Sequence, residues 1–293
     1  MDIQGNFDEK FKSIVNCYEN QFNLGLDIGS SLAVTYEGEL VIDIWAGTRD
    51  KAQTLPWEEN TIVNVFSSTK NATSLSAYVL ADQGKLDFSA PVAKYWPEFA
   101  QKGKENILVS HIMSHSSGLP GWDEPVAGND LYHPDKVAAL FEMQEPWWEP
   151  GTALGYHAIS IGNLMGEIIK RISGKTVGKF FKDEIADPLD IDFHIGLEDK
   201  HHSRVAEIHQ AVESSPEDLF ELEEGSVMHK VMTNGIITAP DANTTEWRRA
   251  EIPAAGGHGN GRSIAESMAL IANGGAYKEK QIFSEELLSL IHI

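Results

Sequence analysis

A single cysteine, Cys17, leaves the chain without the means to close an intrachain disulfide or to build a cysteine-based zinc site. Positive charge is scarce as well: 23 Lys and Arg stand against 44 Asp and Glu, giving a net charge of −21. Nucleic-acid phosphates and anionic membrane surfaces both call for basic patches, so neither is expected as a partner, and the surplus of acid reads most simply as solubility. No segment approaches the roughly 18 uninterrupted apolar residues of a membrane-spanning helix. The opening Met1-Asp2-Ile3-Gln4-Gly5-Asn6-Phe7-Asp8-Glu9-Lys10 also lacks the basic start and apolar run of a secretory leader. The expectation is a cytoplasmic protein. Internal repeats, low-complexity tracts and clear linkers are missing too, so residues 1–293 are expected to form one catalytic domain.

What is present is ample apolar material, 42% of the residues, arranged in recognisable periods. Apolar residues at Phe7, Phe11, Ile14, Val15 and Tyr18 predict an amphipathic helix over 7–22. The runs 32–36 and 39–45 flank Glu37-Gly38 and predict a β-hairpin. Helices are expected at 71–83, 107–115, 135–144, 159–172, 176–185 and 262–273, with an acidic surface helix at 216–231. Short strands are expected at 193–196 and 205–209, and the glycine-dense stretch 251–261 reads as a loop. A hairpin followed by a long helical middle predicts an α+β fold, with a helical lobe over roughly 84–250.

The chemistry concentrates at Val63-Asn64-Val65-Phe66-Ser67-Ser68-Thr69-Lys70. A β-branched strand runs into the start of a helix, which places Ser67 and Lys70 three residues apart on one helical face. A serine hydroxyl is a weak nucleophile until a base takes its proton, and a lysine whose pKa is lowered by burial can serve. The helix N-terminus adds a field that favours negative charge at Ser67. The same four residues also describe an ordinary N-cap followed by a solvated lysine, so the spacing decides nothing by itself. Tyr156 is the candidate proton carrier, because a phenol held near an ammonium ionises more easily; a buried, hydrogen-bonded tyrosine is the plainer reading.

The succession Ser67-Ser68-Thr69-Lys70, Ser114-His115-Ser116-Ser117-Gly118-Leu119-Pro120, Trp148-Glu149-Pro150-Gly151-Thr152 with Gly155-Tyr156-His157-Ala158, and Ala254-Ala255-Gly256-Gly257-His258-Gly259-Asn260 resembles the class C β-lactamase-related serine hydrolases. Within them it is most similar to the family VIII carboxylesterases, over roughly residues 7–290. The resemblance implies an antiparallel sheet with flanking helices plus a helical lobe, and an active site between the two. It implies Ser67 as the acylated nucleophile, Lys70 as its partner and Tyr156 as the general base. Trp148, His157, His258 and Gly259 are the expected substrate contacts, although a glycine turn at a helix entry accounts for His258 and Gly259 equally well. Trp147 and Trp122 are further crevice aromatics that would favour apolar groups.

Two departures from the family pattern bear on function. β-Lactam-hydrolysing relatives usually carry Tyr-x-Asn where this chain has Tyr156-His157-Ala158, and an alanine side chain cannot hydrogen-bond a substrate amide. Family members also continue beyond the helix matching 262–273 through strands that carry a third motif and the second oxyanion donor. The expectation is therefore a truncated chain, with impaired turnover and a tendency to dimerise through an unpaired sheet edge. Gly174-Lys175-Thr176-Val177-Gly178 imitates that third motif but lies between two helical runs and reads as a turn. His201, His202 and His209 lack a completing carboxylate set, so no metal is expected. The expected activity is cofactor-independent hydrolysis of small carboxylic esters. β-Lactamase or penicillin-binding activity, acyl transfer to another acceptor, and a non-catalytic binding module are the alternatives.

Overall fold

A computed structural model describes residues 2–209 and 222–289. Its first sheet is antiparallel, in the order β1 (Gln4–Phe7), β3 (Glu39–Gly47), β2 (Gly29–Tyr36). β2 and β3 are joined at Glu37 and Gly38, both with positive φ, the twist a two-residue hairpin turn requires. Ile42, Ile44 and Ala46 alternate on the buried face of β3 and pack with Val15, Tyr18 and Phe22 of α1 (Lys12–Asn23). The predicted first helix begins later than its periodicity suggested, because Phe7 pairs with Ile42 as strand before a 3-10 turn leads into α1. The helix Gly261–Ala272 lies against β2, where a side chain at Gly261 would meet the backbone of Ser31 and Ala33. Arg262 Nε, 2.7 Å from Asp43, ties that helix to β3.

α2 (Thr69–Asp82) is the axis of the molecule. It buries Ala72, Leu75, Ala77, Val79 and Leu80, which lie on more than one side, so it is enclosed rather than amphipathic. Around it pack α5 (Ser160–Ser173) and the helix Val177–Phe181, with α3 (Val109–Met113) and α4 (Pro134–Met143) beyond, in one continuous apolar core. Between Lys85 and Ala250 the described residues are helical or irregular apart from β5 (His194–Ile195) and isolated bridges. The helix expected at 176–185 is interrupted by a π turn at Lys182–Ala186, and of the strand expected at 205–209 only a bridge from Val205 to Ile62 forms. The acidic helix expected from residue 216 lies partly outside the described residues; a helix is described at Val227–Thr233. Gly174, left-handed at the end of α5, and Thr176, the N-cap of the next helix, form the predicted turn.

The stretch read as a glycine loop contains a strand. β6 (Gly257–Gly259) sits between β4 (Val63–Asn64) and β5, pairing Asn64 and His194 with His258. The glycines there serve close packing: a Cβ on Gly257 would lie 2.6 Å from both the Phe193 ring and Thr69 Oγ1, and one on Gly259 equally close to Phe193 and Ser263. β6 thereby supports the strand that delivers Ser67. No described helix is long and apolar enough to cross a membrane.

Candidate active site

Ser67 stands where β4 turns into α2. Phe66 ahead of it takes φ +42°, a sterically costly value for a large residue, and the chain passes through one 3-10 turn, Phe66–Ser68, before the α-helix begins. Ser67 is thus lifted to the surface while Thr69, its neighbour but one, is fully buried and accepts a hydrogen bond from the Gly257 amide.

Lys70 Nζ lies 3.0 Å from Ser67 Oγ, and Tyr156 Oη lies 2.8 Å from the same oxygen. Nζ also donates to the carbonyls of Ala158 (2.7 Å) and Ala254 (2.9 Å), and stands 5.2 Å from the centre of the Tyr156 ring. Burial lowers the Lys70 pKa from 10.5 to about 8. The geometry suits either protonation state. The ammonium has three donors for three acceptors, whereas the neutral amine keeps two donors for the two carbonyls and turns its lone pair to Ser67. Because Lys70 donates into Ser67 Oγ in the charged state, the serine proton is left to point at Tyr156 Oη.

Tyr156 belongs to an exposed loop pinned from behind. The Gly155 amide donates to His115 O (3.0 Å) and the His157 amide to His115 Nδ1 (3.1 Å). His157 is fully buried. Its Nδ1–H donates to Gly155 O (2.6 Å), which fixes Nε2 as the acceptor for Ser117 Oγ–H (2.7 Å), and burial lowers its pKa to about 4, so it stays neutral. Trp148 braces the same loop: its ring occupies the space a side chain at Gly155 would fill, only 2.5 Å from such a Cβ.

Three of the expected site residues therefore converge and the expected substrate contacts do not. Ser67, Lys70 and Tyr156 form one hydrogen-bonded cluster. His157 turns into the protein, and Trp148 supports backbone. His258 is buried in β6 with Nδ1–H donating to Gly256 O, its pKa lowered to about 3 by burial, and Gly259 packs under Phe193. Trp122 is core, bonded through Nε1 to Val137 O, and Trp147 sits nearby, bonded to Asp123.

The cavity at the cluster holds about 190 Å³ and is lined by Phe66, Ile159, Val231, Met232, Ile236 and Ile237 beside Ser67 and Tyr156. Its lining includes no charged side chain among the described residues. A larger groove of about 630 Å³ runs between the start of β2 and β6, but none of the three clustered residues lines it. Sequence reasoning missed His115, the Ala254 carbonyl and the Val231–Ile237 wall. His115 and Ala254 both lay inside quoted motifs, but the backbone carbonyl that Ala254 contributes has no residue-type signature. Among the described residues no group of three or more His, Cys, Asp or Glu is placed to hold a metal.

A sequence model of the Beta-lactamase family matches residues 25–288. The chain is 32% identical over 299 residues to the esterase/beta-lactamase LipL of Mycobacterium tuberculosis (strain ATCC 25618 / H37Rv), covering 98% of this chain and 68% of LipL. A beta-lactamase of Escherichia coli (strain K12) is 28% identical over 167 residues, or 56% of this chain and 42% of that protein, so the chain spans less than half of that relative. Among solved structures, a family VIII carboxylesterase superposes with a TM-score of 0.91 at 37% identity, covering 99% of this chain and 76% of the other. With the fold, the serine–lysine–tyrosine cluster and these matches in agreement, the chain belongs to the Beta-lactamase family of serine hydrolase-like proteins.

Proposed function

We propose that this chain hydrolyses small carboxylic esters with apolar acyl groups through an acyl-enzyme on Ser67. The observation that carries the reading is a Ser67–Lys70–Tyr156 cluster opening onto an apolar cavity whose lining has no charged side chain. A β-lactam or a peptide C-terminus brings a carboxylate that a cation or several donors must meet. An alkyl ester brings none. Ala158 supplies its carbonyl to Lys70 and has no side-chain amide to offer a substrate. The names of the relatives, esterase/beta-lactamase and family VIII carboxylesterase, are consistent with ester chemistry.

In the first step Ser67 Oγ adds to the ester carbonyl and its proton passes to the Tyr156–Lys70 pair. The oxyanion forms close to the Ser67 amide and the N-terminal end of α2, whose dipole favours it. The C–O bond to the alcohol then breaks and the pair returns the proton to the departing alkoxide. Water adds to the acyl-Ser67 ester, again giving a proton to the pair. Ser67 Oγ leaves and recovers that proton as the acid is released.

The test is hydrolysis of p-nitrophenyl butyrate beside the Ser67→Ala variant, with nitrocefin as the competing substrate class. Turnover of the butyrate that vanishes in the variant is expected, with little on nitrocefin. Butyrate turnover surviving Ser67→Ala, or a preference for nitrocefin, would overturn the assignment.

A further inference from the structure

Helix α3 ends in a Schellman motif: the Ser116 amide donates to His111 O (2.8 Å) and the His115 amide to Ile112 O (3.1 Å). The residue after the C-cap in this motif takes the left-handed conformation, which glycine fills without strain and other residues resist. Here it is His115, at φ +61°. A strained, bulky residue where glycine would be easier calls for a compensating role, and the contacts of its imidazole supply one.

The two amides on either side of Tyr156 both end on this residue: Gly155 N–H on its carbonyl and His157 N–H on its Nδ1. Its ring also lies against the Tyr156 ring, with centroids 5.2 Å apart. Accepting at Nδ1 requires the neutral tautomer with the proton on Nε2. Burial, and then the nearby charge of Lys70, lower its pKa and favour that form.

We propose that His115 is the positioning residue for the general base, holding the Tyr156 hydroxyl in register with Ser67 and Lys70 by clamping the backbone on both sides of the tyrosine. It touches no reacting atom. The proposal rests on the reading of Ser67 as nucleophile and Tyr156 as its proton carrier.

His115→Gly and His115→Asn separate positioning from structure. Glycine relieves the left-handed strain but deletes the imidazole acceptor; asparagine tolerates the same backbone and places an amide oxygen near Nδ1. The expectation for His115→Gly is a melting temperature close to the parent's, because relief of the left-handed strain offsets the acceptor lost to the His157 amide, with kcat lower by about 10- to 100-fold at little-changed KM, as for a misplaced catalytic group. His115→Asn should recover most of that kcat. The rate of Ser67 labelling by a fluorophosphonate, measured on all three proteins, reports serine activation independently of ester turnover. Parent labelling without ester hydrolysis would sink the substrate assignment while leaving this proposal open to the labelling comparison. A His115→Gly protein that turns over or labels as fast as the parent, or an asparagine variant no better than glycine, would overturn it. A parent that does neither would overturn both.

Discussion

Raising the pH should switch the site on, and the size of the effect follows from how Lys70 is buried. Burial lowers its pKa to about 8, and its Nζ lies 3.0 Å from Ser67 Oγ, so in the proposed mechanism the competent form is the one in which Lys70 has lost its proton. The neutral amine is what lets the proposed Tyr156–Lys70 relay take the serine proton. With a midpoint near 8, the competent fraction is about one tenth at pH 7 and about nine tenths at pH 9, a gain of roughly tenfold in kcat/KM followed by a plateau. An unperturbed lysine near 10.4 would give a gain of about 100-fold over the same interval with no plateau. The assay is kcat/KM on p-nitrophenyl butyrate from pH 6 to 10, corrected for spontaneous hydrolysis. The linkage runs in the same direction. A folded pKa below the unfolded one means that the unfolded chain binds more protons between about 8 and 10.5, so Lys70 disfavours folding below that window and ceases to do so above it. The two carbonyls on Nζ favour the ammonium and work against burial, so the kinetic midpoint should fall at or slightly above 8. A profile flat from pH 6 to 10, or one that falls as the pH passes 8, would refute the assignment of Lys70 to the base.

Tyr156→Phe keeps the ring against His115 but deletes the hydroxyl 2.8 Å from Ser67, and should lower kcat by about 100- to 10,000-fold with the melting temperature nearly unchanged; a loss under tenfold would return the base role to Lys70 alone. Gly257→Ala drives a Cβ into Phe193 and Thr69 beneath the nucleophile and should cost about 1–3 kcal/mol in urea denaturation, along with activity; a neutral result would mean β6 can shift freely. Lys104 is fully buried and donates to the carbonyls of Gln101, Glu142 and Gln144, so Lys104→Met strands three acceptors. Because losing the buried ammonium returns part of that cost, the net expectation is a loss of about 2–3 kcal/mol by urea denaturation, and a stabilised variant would show that burying the charge outweighs its three bonds.

Which features the sequence disclosed depends on the range of the physics involved. Helical spacing puts Ser67 and Lys70 side by side, and the resemblance then gave that pair its role over an ordinary N-cap and solvated lysine. The hairpin announced itself through Glu37-Gly38, whose turn chemistry is local. Tyr156, 89 residues from Ser67, had no local signature: phenol chemistry made it a candidate, and the resemblance set it above a plain buried tyrosine. Misreadings cluster where glycine was taken as a sign of looseness: Gly257 and Gly259 are there because Phe193 and Thr69 leave no room for a side chain, and the tight spot is a strand. His157 and His258 looked like site residues by type and position, yet burial turns both inward to satisfy neighbouring carbonyls. The apolar wall at Val231–Ile237 begins at the end of the segment read as an acidic surface helix and starts on the helix Val227–Thr233, and charge composition says nothing about which face such a helix turns to a cavity.

The ammonium of Lys70 is held by two carbonyls that lie 88 and 184 positions further along the chain. During synthesis, therefore, Ser67, the proposed nucleophile, is made early and the carbonyls that hold its lysine neighbour late. When Lys70 leaves the ribosome neither acceptor exists; the first arrives with Ala158, and the second only after Ala254 has been translated and packed. Until then nothing encloses the lysine to lower its pKa, and Ser67 remains an ordinary hydroxyl. On the proposed mechanism, reactivity is a property of completed topology, and nascent or partly unfolded chains would lack an activated serine with which to acylate themselves.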